Sequence, residues 1–396
     1  MLKKMITYKK FLFFILSSLF FHYLAFTQEL VNIGILGALK LSSIKILFQD
    51  AYSVQFDEAN ELQKLNKNQF YQLEVVNDSL VLMDNLNGKK ITAKTIRFFS
   101  PDITNSEFSI IHLKLSNGRT YKGHLTITAK ESNLQLVNTL ELDDYVCGVV
   151  NAEVGKGRHP ELYKAQSLLV RTYALSHLYK HLPEGYNLCD QVHCQVYYGT
   201  CQSSSIFEAV KSTHHLVIVD KDLNLIVAAF HSNSGGQTVN SEDIWGSKKE
   251  YLRSVKDTFS IGMPSYRWQK KMALAEWIRY LKKYKYPVDD SEALNFATNF
   301  KQYNRNVYLH YNHIKIPLKN IREELKLMST FFDISLNATK DTVIFSGKGF
   351  GHGVGLSQEG AMKMAKLGLN YKQIINFYYQ NVILIDLKKL NFFKEE

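Results

Sequence analysis

Between residues 30 and about 138, apolar positions alternate with polar ones or run together in short bursts: LVNIGIL, SIKILF, YSVQF, SLVLM, IIHLKL, HLTITA and LQLVN. Turn-forming residues separate them, among them Asp78, Asn85, Asn87 with Gly88, and Asn117 with Gly118. Alternation of period two between such breaks predicts strands, so this first part reads as β-rich. From 139 the period lengthens. In TLELDDYVCGVVNAEVG, Leu142, Val146, Val149 and Val150 recur at helical spacing and Glu153 continues the same stripe, while Asp143 and Asp144 fall on the side the pattern assigns to solvent. A second helix is expected from Pro160, a favourable first position, with Leu162, Ala165, Leu169 and Tyr173 on its buried side and Arg171 on another face. Strands return from 216 in HLVIV and NLIVAAF, and a helix rich in Lys and Tyr follows near 273–285. The succession predicts an α+β protein: a β-rich N-terminal part, then a mixed α/β core with a cleft.

Near the C-terminus, GKGFGHGVGLSQEGA holds His352 among closely spaced glycines. No frame of it places a third glycine where a dinucleotide fingerprint needs one, and no phosphate-binding G-x-x-x-x-G-K-[ST] occurs in the chain. The remaining reading is a turn in which Gly349, Gly351, Gly353 and Gly355 take positive φ and present His352. Ser357 then caps a helix over QEGAMKMAKL, which Gly368 stops. A purely structural turn with an exposed histidine fits the same pattern.

The chain has 396 residues, 45% of them hydrophobic and 21% charged, which is ample for a large core and excludes a disordered chain. Lys3, Lys4, Lys9 and Lys10 precede an apolar run from Phe11 to Phe21, and the small residues Ala25 and Thr27 come before Gln28. This order predicts a secretory leader over 1–27 and export to the periplasm or cell envelope; an uncleaved leader acting as a membrane anchor is the alternative. The four leader lysines carry four of the +11 formal charges, so the remainder stays basic at +7, which suits an anionic polymer. KKYKYP at 282–287 is the densest basic patch, and no basic helix or interleaved aromatic pattern argues for nucleic acid. No fixed-period repeat or low-complexity tract is present.

Two groups of residues carry chemistry. Glu153 ends an apolar stripe, where partial loss of water would raise its pKa toward that of a general acid; if the stripe has already run out, it simply reaches solvent. In HLPEGYNLCDQVHCQVYYGTC, His181, Cys189, His193 and Cys194 offer two imidazoles and two thiolates, a set that suits tetrahedral zinc. In an oxidising compartment Cys189 is equally suited to pair with Cys194 or Cys201, and both readings stand.

Taken in order, YKGHLTI, LELDDYVCGVVNAEV, ELYKAQSLLVRTYAL, CDQVHCQVYYG, FHSNSGGQTVNSEDIWG with YLRSV, LMSTFF, and GKGFGHGVGLSQEGAMKMA with INFYYQNV resemble the SpoIID/LytB family, that of stage II sporulation protein D and the amidase enhancer LytB. The likeness covers nearly the whole chain after the leader, so the reading divides it into the leader 1–27, a β-rich region 28–138 and a SpoIID-like core 139–396. The resemblance implies a lytic transglycosylase that cuts peptidoglycan glycan strands with Glu153 as its single catalytic carboxyl. It also implies zinc at His181, Cys189, His193 and Cys194. It brings His352, Ser357 and Gln358 to the sugar cleft, with Ser232, Ser234, Gln237 and Arg171 as further substrate contacts. Cys147 and Cys201 depart from the family pattern, as does GKGRH after Glu153. A different role carried by the same family is noncatalytic: binding glycan and stimulating a partner cell-wall amidase. Glu153 separates the two, because a binding module tolerates its amide.

Overall fold

The computed structural model describes residues 29–86 and 88–390; the leader expected over 1–27 and Asn87 of the expected Asn87 and Gly88 turn lie outside the described residues. The alternating segments form two antiparallel sheets. In the seven-stranded one, Asn133–Glu141 lies between Leu30–Ile35 and His124–Lys130, while the six-stranded one is centred on Ser43–Phe48 and Gln69–Val76. Along Asn133–Glu141, half-buried and buried residues alternate through all 9 positions, so one side faces the partner sheet. The two inner faces share one core, in which the rings of Phe48 and Phe98 lie 4.9 Å apart across the sheets.

The chain passes from Glu141 into helix α1 (Leu142–Val154) without an intervening loop. Leu142, Tyr145, Val146, Val149 and Val150 extend the sandwich core, so the helical stripe read from the sequence is the buried one. Helix α2 (Pro160–Ser176) starts at the expected proline. It serves two cores: Tyr163, Val170 and Ala174 face the first, while Leu162, Ala165, Leu168 and Leu169 join Ile218, Ile226, Leu356 and Ile374 in a second. A third cluster draws all its members from between Trp268 and Phe345, around a three-stranded sheet of Arg267–Ala273, Phe332–Leu336 and Thr342–Lys348. Segments of the second core flank it on both sides in sequence.

The protein is therefore α+β with a strand-rich N-terminal part. NLIVAAF is a departure from the expected strand, since within it Leu225 makes a single isolated bridge to Val219 and Phe230 alone belongs to a strand, the two-residue Phe230–His231. Tyrosine hydroxyls take up part of its backbone between those two points. The Tyr251 hydroxyl accepts from the amide of Val227, and the Tyr379 hydroxyl donates to the carbonyl of Ala229. No helix among the described residues is long and apolar enough to cross a membrane.

Candidate active site

A cleft of about 830 Å³ opens where the three cores meet, lined by Glu153 from α1, by Val192 to Gln195, by Phe230 to Ser232, and by Trp245, Arg322, Phe350 to His352, and Gln358. Among the described residues, Glu153 is the only carboxylate in this lining. It lies in the last turn of α1 and is half-buried, and its Oε1 accepts a hydrogen bond from the backbone amide of Val196 at 3.1 Å. Burial raises its pKa above the ordinary 4.5, and the Val196 N–H opposes that only in part. The partial negative charge at a helix C-terminus disfavours a carboxylate in the same direction. The residue is placed to hold a proton and to give it to a buried acceptor.

The opposite wall is the glycine loop. Gly349, Gly351, Gly353 and Gly355 all have positive φ, as their spacing suggested. Two of them are also fixed by close approach: a Cβ on Gly351 would lie 2.7 Å from Cβ of His231, and one on Gly355 would lie 2.1 Å from the carbonyl oxygen of Ala229. The loop runs into Leu356–Ser357, which pairs in parallel with Phe230–His231 and brings His352 beside His231, with ring centroids 5.5 Å apart. Nδ1 of His352 accepts from the amide of Val354 at 3.0 Å, and burial together with Arg322 and Arg305 pushes its pKa down to about 4. The ring is neutral at neutral pH and carries no transferable charge. His231 donates from Nδ1 to the Val354 carbonyl at 3.1 Å, which leaves Nε2 buried without a partner. The side-chain amide nitrogens of Gln195 and Gln358 are unpartnered in the same way, so three polar atoms of residues lining one cleft await hydrogen bonds that the described residues do not supply.

Next to Glu153 stand the soft ligands. Cys189 belongs to a two-residue strand parallel to Leu30–Ile35, so the sandwich edge holds it, and Cys194 follows a short turn. The donor atoms of His181, Cys189, His193 and Cys194 all lie within 4.8 Å of one another, with Nδ1 of His193 at 3.9 Å from Sγ of Cys189 and 4.0 Å from Sγ of Cys194. Metal bonds of about 2.1 Å to nitrogen and about 2.3 Å to sulfur put tetrahedral donors roughly 3.4–3.8 Å apart, close to this arrangement. His181 supplies an independent sign: its Nδ1 is bonded to Oε2 of Glu184 at 2.6 Å while its Nε2 is buried and unpartnered, the arrangement of a ligating imidazole held by a carboxylate. All four cysteines of the chain are unpaired, including Cys147 and Cys201.

Comparison with known proteins points to one family. The SpoIID family, described as stage II sporulation protein, matches residues 130–219, which contain Glu153 and the whole Cys/His cluster. Stage II sporulation protein D of Bacillus subtilis is 33% identical over 262 residues, covering 62% of this chain and 75% of that protein. The chain belongs to the SpoIID family. An uncharacterized protein of Brachyspira hyodysenteriae is 26% identical over 81% of the chain and 87% of its own length, and an amidase enhancer of Bacillus subtilis is 27% identical over 60% of the chain and 40% of its own length.

Of the substrate contacts expected in this SpoIID-family chain, Ser232, His352 and Gln358 line the cleft with Glu153. The others do not. Arg171 is fully buried, donating to Oδ1 of Asp143 at 2.7 Å and to the carbonyls of Thr213 and Leu216 at 2.9 and 3.1 Å; it ties α2 to the start of α1 instead of facing a ligand. Ser234 is sealed under the loop, donating to Asp257 at 2.7 Å. Ser357 is buried as the cap of its helix, accepting from the amide of Gly360. Gln237 is occupied by Ser254 and Arg305. Asp143 and Asp144 are also not on a solvated face. Their side chains are 25% and 15% exposed and pair with Arg171 and Lys122, because α1 leaves the sheet without a loop and its first turn is wedged between neighbours.

Residues the sequence reading passed over are His231, Trp245, Gln195, Phe350 and Arg322. The first two lie inside FHSNSGGQTVNSEDIWG, whose serines drew notice first. Arg322 comes from the third core, and nothing in its local sequence marks it.

Proposed function

We propose that this chain is an exported lytic transglycosylase that cuts peptidoglycan glycan strands in cell-wall remodelling, with its catalytic unit in 139–396. The observation that carries the reading is Glu153: half-buried, anchored by Val196, and the sole carboxylate among the described residues lining the cleft. Glycosidases that transfer to water generally use two carboxyl groups flanking the scissile bond. A single one suffices when the nucleophile is internal to the sugar. Protonated Glu153 gives its proton to the glycosidic oxygen as the bond from C1 of N-acetylmuramic acid breaks. The resulting carboxylate removes the proton of the C6 hydroxyl, whose oxygen closes on C1 to form the 1,6-anhydro ring. The proton ends on Glu153 and the acid is restored. His231, Gln195 and Gln358 make the cleft lining polar, and Arg322 offers a guanidinium to an acidic strand.

The Cys/His cluster suits zinc as a closed structural site, since four protein donors leave no open position. Its work in this reading is to hold the 189–196 loop that presents Val196 to Glu153. Incubating the protein with intact and with peptide-stripped peptidoglycan, followed by mass analysis, tests the activity: the products should be one water lighter than hydrolytic fragments. Reducing-end muramic acid as the product would make the enzyme a hydrolase. The likeness to an amidase enhancer supports a second reading, a glycan-binding stimulator of a cell-wall amidase, in which the amide at 153 leaves function unchanged.

A further inference from the structure

The chain has three tryptophans, and they are placed very differently. Trp277 is 0% exposed in the third core and Trp268 is half-buried with its indole N–H on Ser329, whereas Trp245 is 45% exposed and lines the cleft. Because Trp245 lines the same cleft as Glu153, its exposed aromatic face is open to whatever that cleft takes. Its mounting is rigid. Trp245 ends the short helix Ser241–Trp245, which Gly246 terminates at φ 74. Arg253 clamps the start of that helix through Glu242 at 2.7 Å, and Lys319 holds its end through the Ile244 carbonyl at 3.1 Å.

Behind the indole stands His352, with ring centroids 5.4 Å apart, and behind that His231. The three rings form a row from the open rim to the buried floor. His352 is held by the Val354 amide and stays neutral, so its contribution here is as a wall for the indole. The indole N–H has no hydrogen-bond partner among the described residues and is free to donate. A pyranose ring offers what this surface lacks: a face of C–H groups for the aromatic plane and, at its edge, hydroxyl or acetamido oxygens for the N–H.

Resting on the glycan-cleaving reading of the cleft, we propose that Trp245, backed by His352, is a sugar-stacking subsite that sets where a glycan strand lies relative to Glu153. The subsite binds neutral amino sugars through one face. It therefore does not depend on the acidic group of the strand, which falls to Arg322.

Tryptophan emission tests this directly, because Trp277 is sealed and Trp268 is half-buried. Titrating the mature protein with tri-N-acetylchitotriose should shift the emission to the blue, with saturation. Trp245→Phe should abolish the shift while retaining most of the affinity, and Trp245→Ala should weaken binding by about tenfold, the scale of one aromatic contact. On peptide-stripped glycan, Trp245→Ala should raise KM with kcat largely kept, and Trp245→Phe should restore KM. If the wild type cuts glycan and Trp245→Ala binds and cuts equally well, the subsite is wrong and the glycan-cleaving reading stands. If the wild type neither binds nor cuts glycan, both fall. A blue shift that persists in Trp245→Phe also overturns the subsite.

Discussion

The backbone amide of Val196 donates to Oε1 of Glu153 at 3.1 Å, and Val196 lies two residues beyond Cys194 of the Cys/His cluster. The loop that carries the proposed metal ligands and the proposed acid are thus joined by one hydrogen bond. If that loop is loosened, Glu153 should lose the contact that aims it.

Metal removal should therefore reach the chemistry indirectly. Protein purified without chelator should carry about one zinc per chain, and Cys194→Ser should lose it. Glu184→Gln, which loosens the grip on His181, should weaken metal affinity about 10- to 100-fold. Metal analysis and cleavage rates should fall together along this series. A Cys189 to Cys194 disulfide found by peptide mapping of active protein would remove the basis for the link.

The pH profile follows from the direction of the Glu153 shift. Burial holds its pKa above 4.5, so the proton needed for the first step is present on the acid side and is lost as pH rises through that raised value. Cleavage should decline on the alkaline limb accordingly. Stability carries the same sign: the folded state favours the protonated group, so its stabilising contribution is present below about 4.5 and lost as pH rises through the folded pKa. Glu153→Gln should thus match the wild type in acid and melt higher at neutral pH. A variant that melts lower at neutral pH than in acid, relative to wild type, would show that the carboxylate is the favoured form.

Asp143 and Arg171 should behave as a structural pair. Removing one member leaves a buried charge, so Asp143→Ala should cost about 3–5 kcal/mol in denaturant unfolding. Cleavage per folded molecule should persist, because the pair lies at the opposite end of α1 from Glu153. Although burial opposes it, His214 and Arg171 hold Asp143 below its ordinary 3.8. Its contribution is present above that value and lost as pH falls through the folded pKa. Unchanged stability with lost cleavage in Asp143→Ala would assign it to the site after all.

What the sequence disclosed followed a simple division. Period and turn chemistry were legible: the alternating strands, the α1 stripe, Pro160, the four positive-φ glycines and Ser357 as a cap all depend on near neighbours in the chain. The Cys/His cluster was legible because its donors are close in sequence. What failed depended on distant partners. Arg171 looked available until Asp143, Thr213 and Leu216 were seen around it, and Ser234 until Asp257 was. Trp245 and Arg322 became visible only when the second and third cores were brought to one cleft. NLIVAAF reads as a strand because it is apolar, yet it makes only an isolated bridge at Leu225 and a pairing at Phe230, and tyrosine hydroxyls from elsewhere take up the Val227 amide and the Ala229 carbonyl.

The most direct test of the account is the cleavage rate of Glu153→Gln on peptide-stripped glycan, measured beside its affinity for tri-N-acetylchitotriose. The amide keeps the shape of the carboxyl but has no proton to give. Cleavage should drop by about a hundredfold or more, with affinity near that of wild type. A folded Glu153→Gln that releases anhydromuramyl products at the wild-type rate would contradict the assignment of the acid.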